Sequence, residues 1–262
     1  MTAFRAALWA EALKARRSLV PWLAGLGFCL APLAGGLFMW ILKDPERARS
    51  MGLISAKAQL TVGVADWPAL MGLLSQAAAA GGALIFAFMT AWIFGREFVD
   101  HTAKELLALP TPREAIVGAK FVVVGIWAMV VMAIAFGLGL LMGAAVGLPG
   151  WSLELLRRSA GIFAATGVLA LALLTPVALF AGVGRGYLPP LGWALLTVAF
   201  AQIAVATGWG DWFPWAVPAM VSQAGGPRSA QLGPHSTIVV VLVSVAGLAA
   251  TLVWWRSADQ TR

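Results

Sequence analysis

The sequence predicts an all-α integral membrane protein: about six transmembrane helices, an N-terminal amphipathic interfacial helix, and both termini cytoplasmic. Three observations predict it. Of 262 residues, 61% are hydrophobic and only 11% charged, against about half and about a quarter in an ordinary soluble domain. The mean hydropathy is +0.87, so a water-exposed surface could not be covered with so few charges. The apolar residues also gather into runs of about twenty, the length at which a helix crosses a bilayer with its backbone polar groups satisfied internally.

The elements follow in chain order. Segment 1–17 reads as a helix with Phe4, Leu8 and Ala12 on one side, while Arg5, Lys14, Arg16 and Arg17 lie mostly elsewhere. Such a helix lies in the inner interface and turns sharply into the first span; a merely basic flank to that span is the other reading. Spans are expected at 19–42, 71–94, 121–148, 159–183, 188–206 and 238–255. The first run is too long for the apolar region of a signal peptide and no well-placed small-residue cleavage site follows it, so it is expected to be retained. The third is long enough to tilt. With the N-terminus in the cytosol, 11 of the 18 lysines and arginines fall on the inner side and 7 on the outer, which favours both termini inside. Trp22, Trp40, Trp92, Trp127, Trp151, Trp193, Trp254 and Trp255 fall near predicted helix ends, where indole rings suit the headgroup boundary. Outside, 43–70 is polar enough to be exposed, and 207–236, rich in Trp and Pro, reads as short elements dipping into the outer interface. No repeat or soluble domain is evident, so 1–262 is a single transmembrane domain.

Several chemistries are excluded. The net charge of +7 is spread over loops and ends, which topology explains better than nucleic-acid binding. Cys29 is the single cysteine, and no Cys/His cluster could hold a metal. No Gly-Lys pair occurs, hence no P-loop, and no zinc-protease or nucleophile-elbow motif is present. His101 and His235 lie far apart in loops and read as solvated. The six spans hold no Asp or Glu. Ion-coupled transporters keep ionisable groups at mid-membrane, so any transport here is expected to draw its energy from another subunit.

Between the second and third spans lies the densest charged stretch, 95–117, and 97–109 reads as a short helix ending before Pro110 and Pro112. Arg96 with Asp100, and Asp100 with Lys104, stand at i, i+4 and can pair. Either a cytosolic partner grips this element or it is a plain solvated loop. Here a family resemblance enters. The run Glu97-Phe98-Val99-Asp100-His101-Thr102, then Leu106, Leu107, Pro110, Arg113 and Lys120, resembles the cytosolic loop of ABC-2-type exporter permeases. Glu11, Lys14, Arg16 and Arg17 before Ser18 are similar to that family's connecting helix, and Phe213-Pro214-Trp215-Ala216-Val217-Pro218 resembles its outer re-entrant region, here 207–236. The patches stand in the family's order along the whole chain. One departure is His101, where the family commonly has glycine.

The resemblance implies a permease half, paired with a second copy or a related chain in membrane lipid, and served by a separate ABC ATPase subunit. No cofactor belongs to this chain; ATP and Mg would sit on the partner, and the chain itself would not be an enzyme. It implies coupling to the ATPase through Glu97, Phe98, Thr102, Glu105, Leu106, Pro110 and Arg113. It implies that the second and fifth helices line the pathway of an amphiphilic solute such as a drug, peptide antibiotic or lipid. Ser75, Gln76, Phe86, Met89, Thr90, Thr197, Phe200 and Gln202 would form it, though such polar residues equally serve helix packing. Gly139, Gly143 and Gly147, spaced by four, read as packing within one subunit. A self-sufficient secondary transporter or channel, and a non-transporting membrane anchor, are the alternative classes.

Overall fold

Long apolar runs with few interruptions give long helices, and the computed structural model, which describes residues 2–52, 63–222 and 232–258, is built from them. Among the described residues, six helical spans are long and apolar enough to cross a membrane: α2 (Leu19–Lys43), α4 (Trp67–Val99), α6 (Arg113–Val146), a broken fourth span formed by α7 (Leu153–Ala172) and α8 (Thr175–Val183), α9 (Leu188–Thr207) and α11 (Pro234–Ser257). Shorter elements join them: α1 (Ala3–Arg17), α3 (Pro45–Ser50), α5 (Ala103–Ala108), a 3₁₀ turn at Pro214–Ala216 and α10 (Val217–Val221). No strand occurs among the described residues.

α4 is the most buried span and the hub of the bundle, packed by α2, α6, α7, α8 and α9. α11 packs on α8 and α6, so both ends of the chain lie at one end of the bundle, called here the termini end. The glycine ladder of α6 does what its spacing suggests. A side chain at Gly139 would run into Leu74, and one at Gly143 would meet the Trp67 ring at 2.5 Å, so these glycines let α6 lie against α4 within one chain. Gly147, with φ +67°, ends α6 as its left-handed C-cap, and the Lys43 ammonium donates to the carbonyls of Val146 and Gly147 at 2.6 and 2.9 Å.

Three expectations are corrected. The second and third spans are longer than the apolar runs 71–94 and 121–148, because α4 continues to Val99 and α6 begins at Arg113; Glu97 and Lys120 therefore lie inside helices, and both are buried. The fourth span is not continuous: it breaks at Leu173–Leu174, just ahead of Pro176, whose ring cannot continue a helix without loss of a hydrogen bond. Thr175 Oγ1 donates to the Ser244 carbonyl at 2.8 Å, and Gly247 of α11 leaves room for Thr175 and Pro176, so the break is held by α11. Trp92 and Trp255 are not belt residues; they are 8% and 1% exposed. The Arg96 guanidinium stacks on Trp92 at 4.8 Å, and Trp255 packs against Phe94 and Phe98. In α1, Ala7 and Glu11 face the bundle, and Phe4 and Ala12 of the apolar stripe are exposed, as a helix lying in the membrane interface requires. A buried acid, absent from the apolar pattern, sets its rotation.

Between α9 and α11 lie two short elements, the 3₁₀ turn and α10, whose Pro214, Ala216, Val217, Pro218 and Met220 are buried. Residues 223–231 of that region lie outside the described set. His235 is not simply solvated: its Nε2 lies 2.9 Å from Asp211 Oδ2, and its ring stacks on Trp212 at 4.6 Å.

Candidate functional site

At the termini end, four charged side chains from three helices meet, three of them buried and Lys14 partly exposed. Lys120, on the inward face of α6, is completely buried. Its ammonium donates to Glu11 Oε2 at 2.9 Å, to Glu97 Oε1 at 3.1 Å and to the Ile93 carbonyl at 2.8 Å, which uses all three ammonium donors. Lys14 Nζ donates to Glu11 Oε1 at 2.8 Å and Glu97 Oε1 at 2.7 Å. The remaining Glu97 oxygen, Oε2, accepts from the Thr102 hydroxyl at 2.7 Å. Two carboxylates thus face two ammonium groups, and the cluster is neutral and hydrogen-bonded throughout. That is the condition under which buried charge is tolerated. Burial alone would lower the Lys14 pKa, but the adjacent Glu11 and then Glu97 outweigh it and hold the pKa above its ordinary value. It stays charged at neutral pH.

Local sequence explains how each group arrives. Ser18 is extended (φ −91°, ψ 146°) and its hydroxyl accepts from the Val20 amide, so α1 ends there and the chain turns into α2. Lys14, Arg16 and Arg17 lie in the last turn of α1, where the helix dipole favours cations. Glu97 is the third residue from the end of α4. There the Thr102 amide donates to the Glu97 carbonyl at 2.9 Å, and the His101 amide to the Phe98 carbonyl at 3.4 Å. These two bonds close a Schellman motif with His101 left-handed at φ 57°. A backbone in that region favours glycine, which accounts physically for the glycine common at this place in the family that the sequence resembles. Replacing His101 with glycine is therefore expected to stabilise the protein by about 1 kcal/mol, read as a rise in the thermal midpoint in detergent.

The structure divides the helix read at 97–109. Its first residues belong to α4, and the independent element is α5, six residues long. Of the expected pairs, Arg96–Asp100 is seen at 3.7 Å; Asp100 and Lys104 are separated by the left-handed turn. Ala103 is buried and Leu106 and Leu107 pack inward, Leu106 against Ala7, Ile116 and Ala119. Lys104, Glu105, Ala108, Leu109 and Pro110 are left exposed. α5 is thus a small knob, seated on α1 and α6 and tied to α4 through Thr102.

The other residues expected to couple fall into two places. Phe98 packs on Trp254 and Trp255 at 5.8 and 6.0 Å. Arg113 Nη1 donates to the carbonyls of Trp255, Arg256 and Ala258 at 2.9–3.1 Å and so caps α11. Beside it, Arg256 Nε pairs with Glu114 at 2.6 Å. The cluster brings together Glu97 and Thr102 with three residues that were not singled out for the site: Glu11, Lys14 and Lys120. A signal existed for two of them. Glu11 is the only acid in the first 43 residues, and Lys120 is a lone charge at the head of a long apolar run.

The residues expected to line a pathway also separate. Gln76 of α4 and Gln202 of α9 face one cavity of about 190 Å³, walled by Ala79, Ala83, Ala201 and Trp215. Phe200 is exposed on α9. Ser75, Phe86, Met89, Thr90 and Thr197 are buried inside the chain. The three hydroxyls bond to carbonyls of their own helices, those of Met71, Phe86 and Ala194, while Phe86 packs against Phe28 and Trp127. No group of His, Cys, Asp and Glu that could hold a metal ion occurs among the described residues.

Comparison with known proteins bears on this arrangement. A family model described as ABC-2 family transporter protein matches residues 7–201, which include most of α1, the whole charged cluster and α5. The bacitracin transport permease protein BCRB of Bacillus licheniformis is 28% identical over 179 residues, covering 68% of this chain and 85% of that protein.

Proposed function

The chain belongs to the ABC-2 family of transporter proteins, and from that premise we propose that it works as one permease half of an ATP-driven exporter whose ATPase is a separate chain. The observation that carries this reading is the cluster of Glu11, Lys14, Glu97 and Lys120, which binds α1, α4 and α6 into one block. α5, with its exposed Lys104, Glu105 and Leu109, sits on that block as the contact for a cytosolic ATPase. A push on α5 passes through Thr102 to Glu97, and from Glu97 to the connecting helix α1 and the third span. Because the cluster is neutral and fully bonded it transmits force as a rigid body, and it leaves no unpaired carboxylate to carry a proton. In this reading the termini end faces the cytosol, as the excess of basic residues there favours.

The solute is amphiphilic: a drug, a peptide antibiotic or a lipid. The name of the Bacillus relative supports the peptide antibiotic among these. Its path runs between two permease copies along α4 and α9, where Gln76, Gln202 and the exposed Phe200 offer amide and aromatic contacts. The test is to tag the chain in its host, extract it in mild detergent and identify what is recovered with it. A P-loop ATPase in near one-to-one ratio, lost when Lys104, Glu105 and Leu109 are replaced by alanine, is expected. A well-folded preparation without any ATPase overturns the reading in favour of an anchor or a self-sufficient transporter.

A further inference from the structure

A second cavity lies away from the α4–α9 face. It is a groove of about 400 Å³ between α2 and α6, closed at the termini end by the last turn of α1 and lined by residues including Arg16, Trp22, Gly25, Cys29, Trp127 and Ile134. Small residues make its floor. Gly25 is buried 3.3 Å (as an added Cβ) from the Val131 side chain, and Cys29 lies one turn beyond. Its rim is exposed, with Trp22 62% and Leu26 65% accessible, so the groove opens sideways towards lipid.

Both indole N–H groups are already used. Trp127 Nε1 donates to the Pro21 carbonyl at 3.1 Å, and Trp22 Nε1 donates to the Arg16 carbonyl at 3.3 Å. No polar group on the walls is left to hold a polar solute. Among the lining residues the one cation is Arg16, exposed in the last turn of α1 at the mouth and followed in sequence by the exposed Arg17. Lys14, in the same turn, is neutralised by Glu11 and Glu97. From Pro21 to Cys29 the groove runs about 12 Å along the helix axis, close to the roughly 15 Å depth of one hydrocarbon leaflet. An apolar slot one leaflet deep, with positive charge only at its headgroup end, is complementary to one kind of molecule.

We propose that this groove seats one acyl chain of an anionic phospholipid from the leaflet at the termini end, with its phosphate on the Arg16 guanidinium. The inference needs only that these helices span a membrane; it does not rest on the exporter reading. A basic residue at the surface favours anionic over zwitterionic lipid about fivefold, and the groove turns that general attraction into one retained molecule per chain.

The test reconstitutes the full chain in bilayers with equal phosphatidylglycerol and phosphatidylcholine of identical acyl chains, strips it with detergent, and counts bound lipid by native mass spectrometry. The expected result is one phosphatidylglycerol per chain, preferred about fivefold or more. Arg16→Ala is expected to abolish the headgroup preference. Cys29→Trp, which fills the floor, is expected to abolish the tightly held lipid of either kind. Equal retention of the two lipids by the unaltered chain, or unchanged phosphatidylglycerol binding in Arg16→Ala, overturns the proposal. Arg16 is exposed and its variant folds irrespective of the groove, so it decides the matter if Cys29→Trp does not fold.

Discussion

Replacing Lys120 with methionine is expected to destabilise the protein by about 3–5 kcal/mol, the usual cost of removing one partner from a buried ion pair. The methionine fills much of the lysine volume, so the effect is electrostatic. With Lys120 gone, the carboxylates of Glu11 and Glu97 share only Lys14, and one negative charge is left buried without a partner. The Ile93 carbonyl also loses its extra donor. The strain is released most easily by lifting α1 off the bundle, because α1 is held there chiefly by Glu11, Lys14 and a small apolar patch around Ala7. Trypsin cleavage at Arg5, Arg16 and Arg17 should therefore accelerate before the six spans unfold. Adding Glu11→Gln to Lys120→Met restores neutrality and should recover part of the thermal midpoint. If the double variant is no more stable than the single one, charge balance is not what holds α1.

Gly143→Leu is expected to be the most damaging substitution in the apolar interior. A Cβ at Gly143 meets Trp67 at 2.5 Å and Leu70 at 2.8 Å. The Trp67 ring cannot swing away, because Trp151 packs against it at 4.7 Å. The added side chain must separate α4 from α6, the two longest helices, and overpacking of this kind costs typically 1–3 kcal/mol. A Leu, with more atoms to place than an added methyl group, belongs at the upper end, about 3 kcal/mol. Gly137→Ala is the control on the same helix. Nothing lies within 4 Å of the position, so it should leave the thermal midpoint unchanged or raise it through helix propensity. Equal effects from the two substitutions would show that close approach at Gly143 does not matter.

The spans were legible in the sequence because uninterrupted apolar length is itself the physical requirement for crossing a bilayer. Their ends were less legible. Reading each span as stopping at the first charge excluded Glu97 and Lys120, yet these charges are buried because they neutralise one another across helices far apart in sequence. Pairing at that distance leaves no periodic trace. The rotation of α1 was half legible: Phe4, Leu8 and Ala12 mark its apolar stripe, but nothing in that stripe shows that Glu11 finds its partner on α6. Pro176 carried a readable signal for the break in the fourth span, and the staple from Thr175 to Ser244 explains why the span survives it. At the candidate site, Glu97 and Thr102 could be singled out by resemblance, whereas their bond to each other depends on the left-handed turn at His101. The departure from glycine marks that turn.

On the proposed coupling path, force enters at α5 and reaches the spans through Thr102 and Glu97. Glu97→Gln keeps the shape of the side chain and removes its charge, and Thr102→Val removes one hydroxyl bond from the same path. The direct measurement is ATP hydrolysis and solute export, recorded together on the permease and its ATPase reconstituted in vesicles, for the unaltered chain and these two variants. Hydrogen bonds to charged groups contribute about 1.5–3 kcal/mol, so export per ATP hydrolysed should fall about tenfold or more while hydrolysis continues and the permease still inserts. Hydrolysis and export that both survive Glu97→Gln unaltered would contradict the account and take the coupling path away from this cluster.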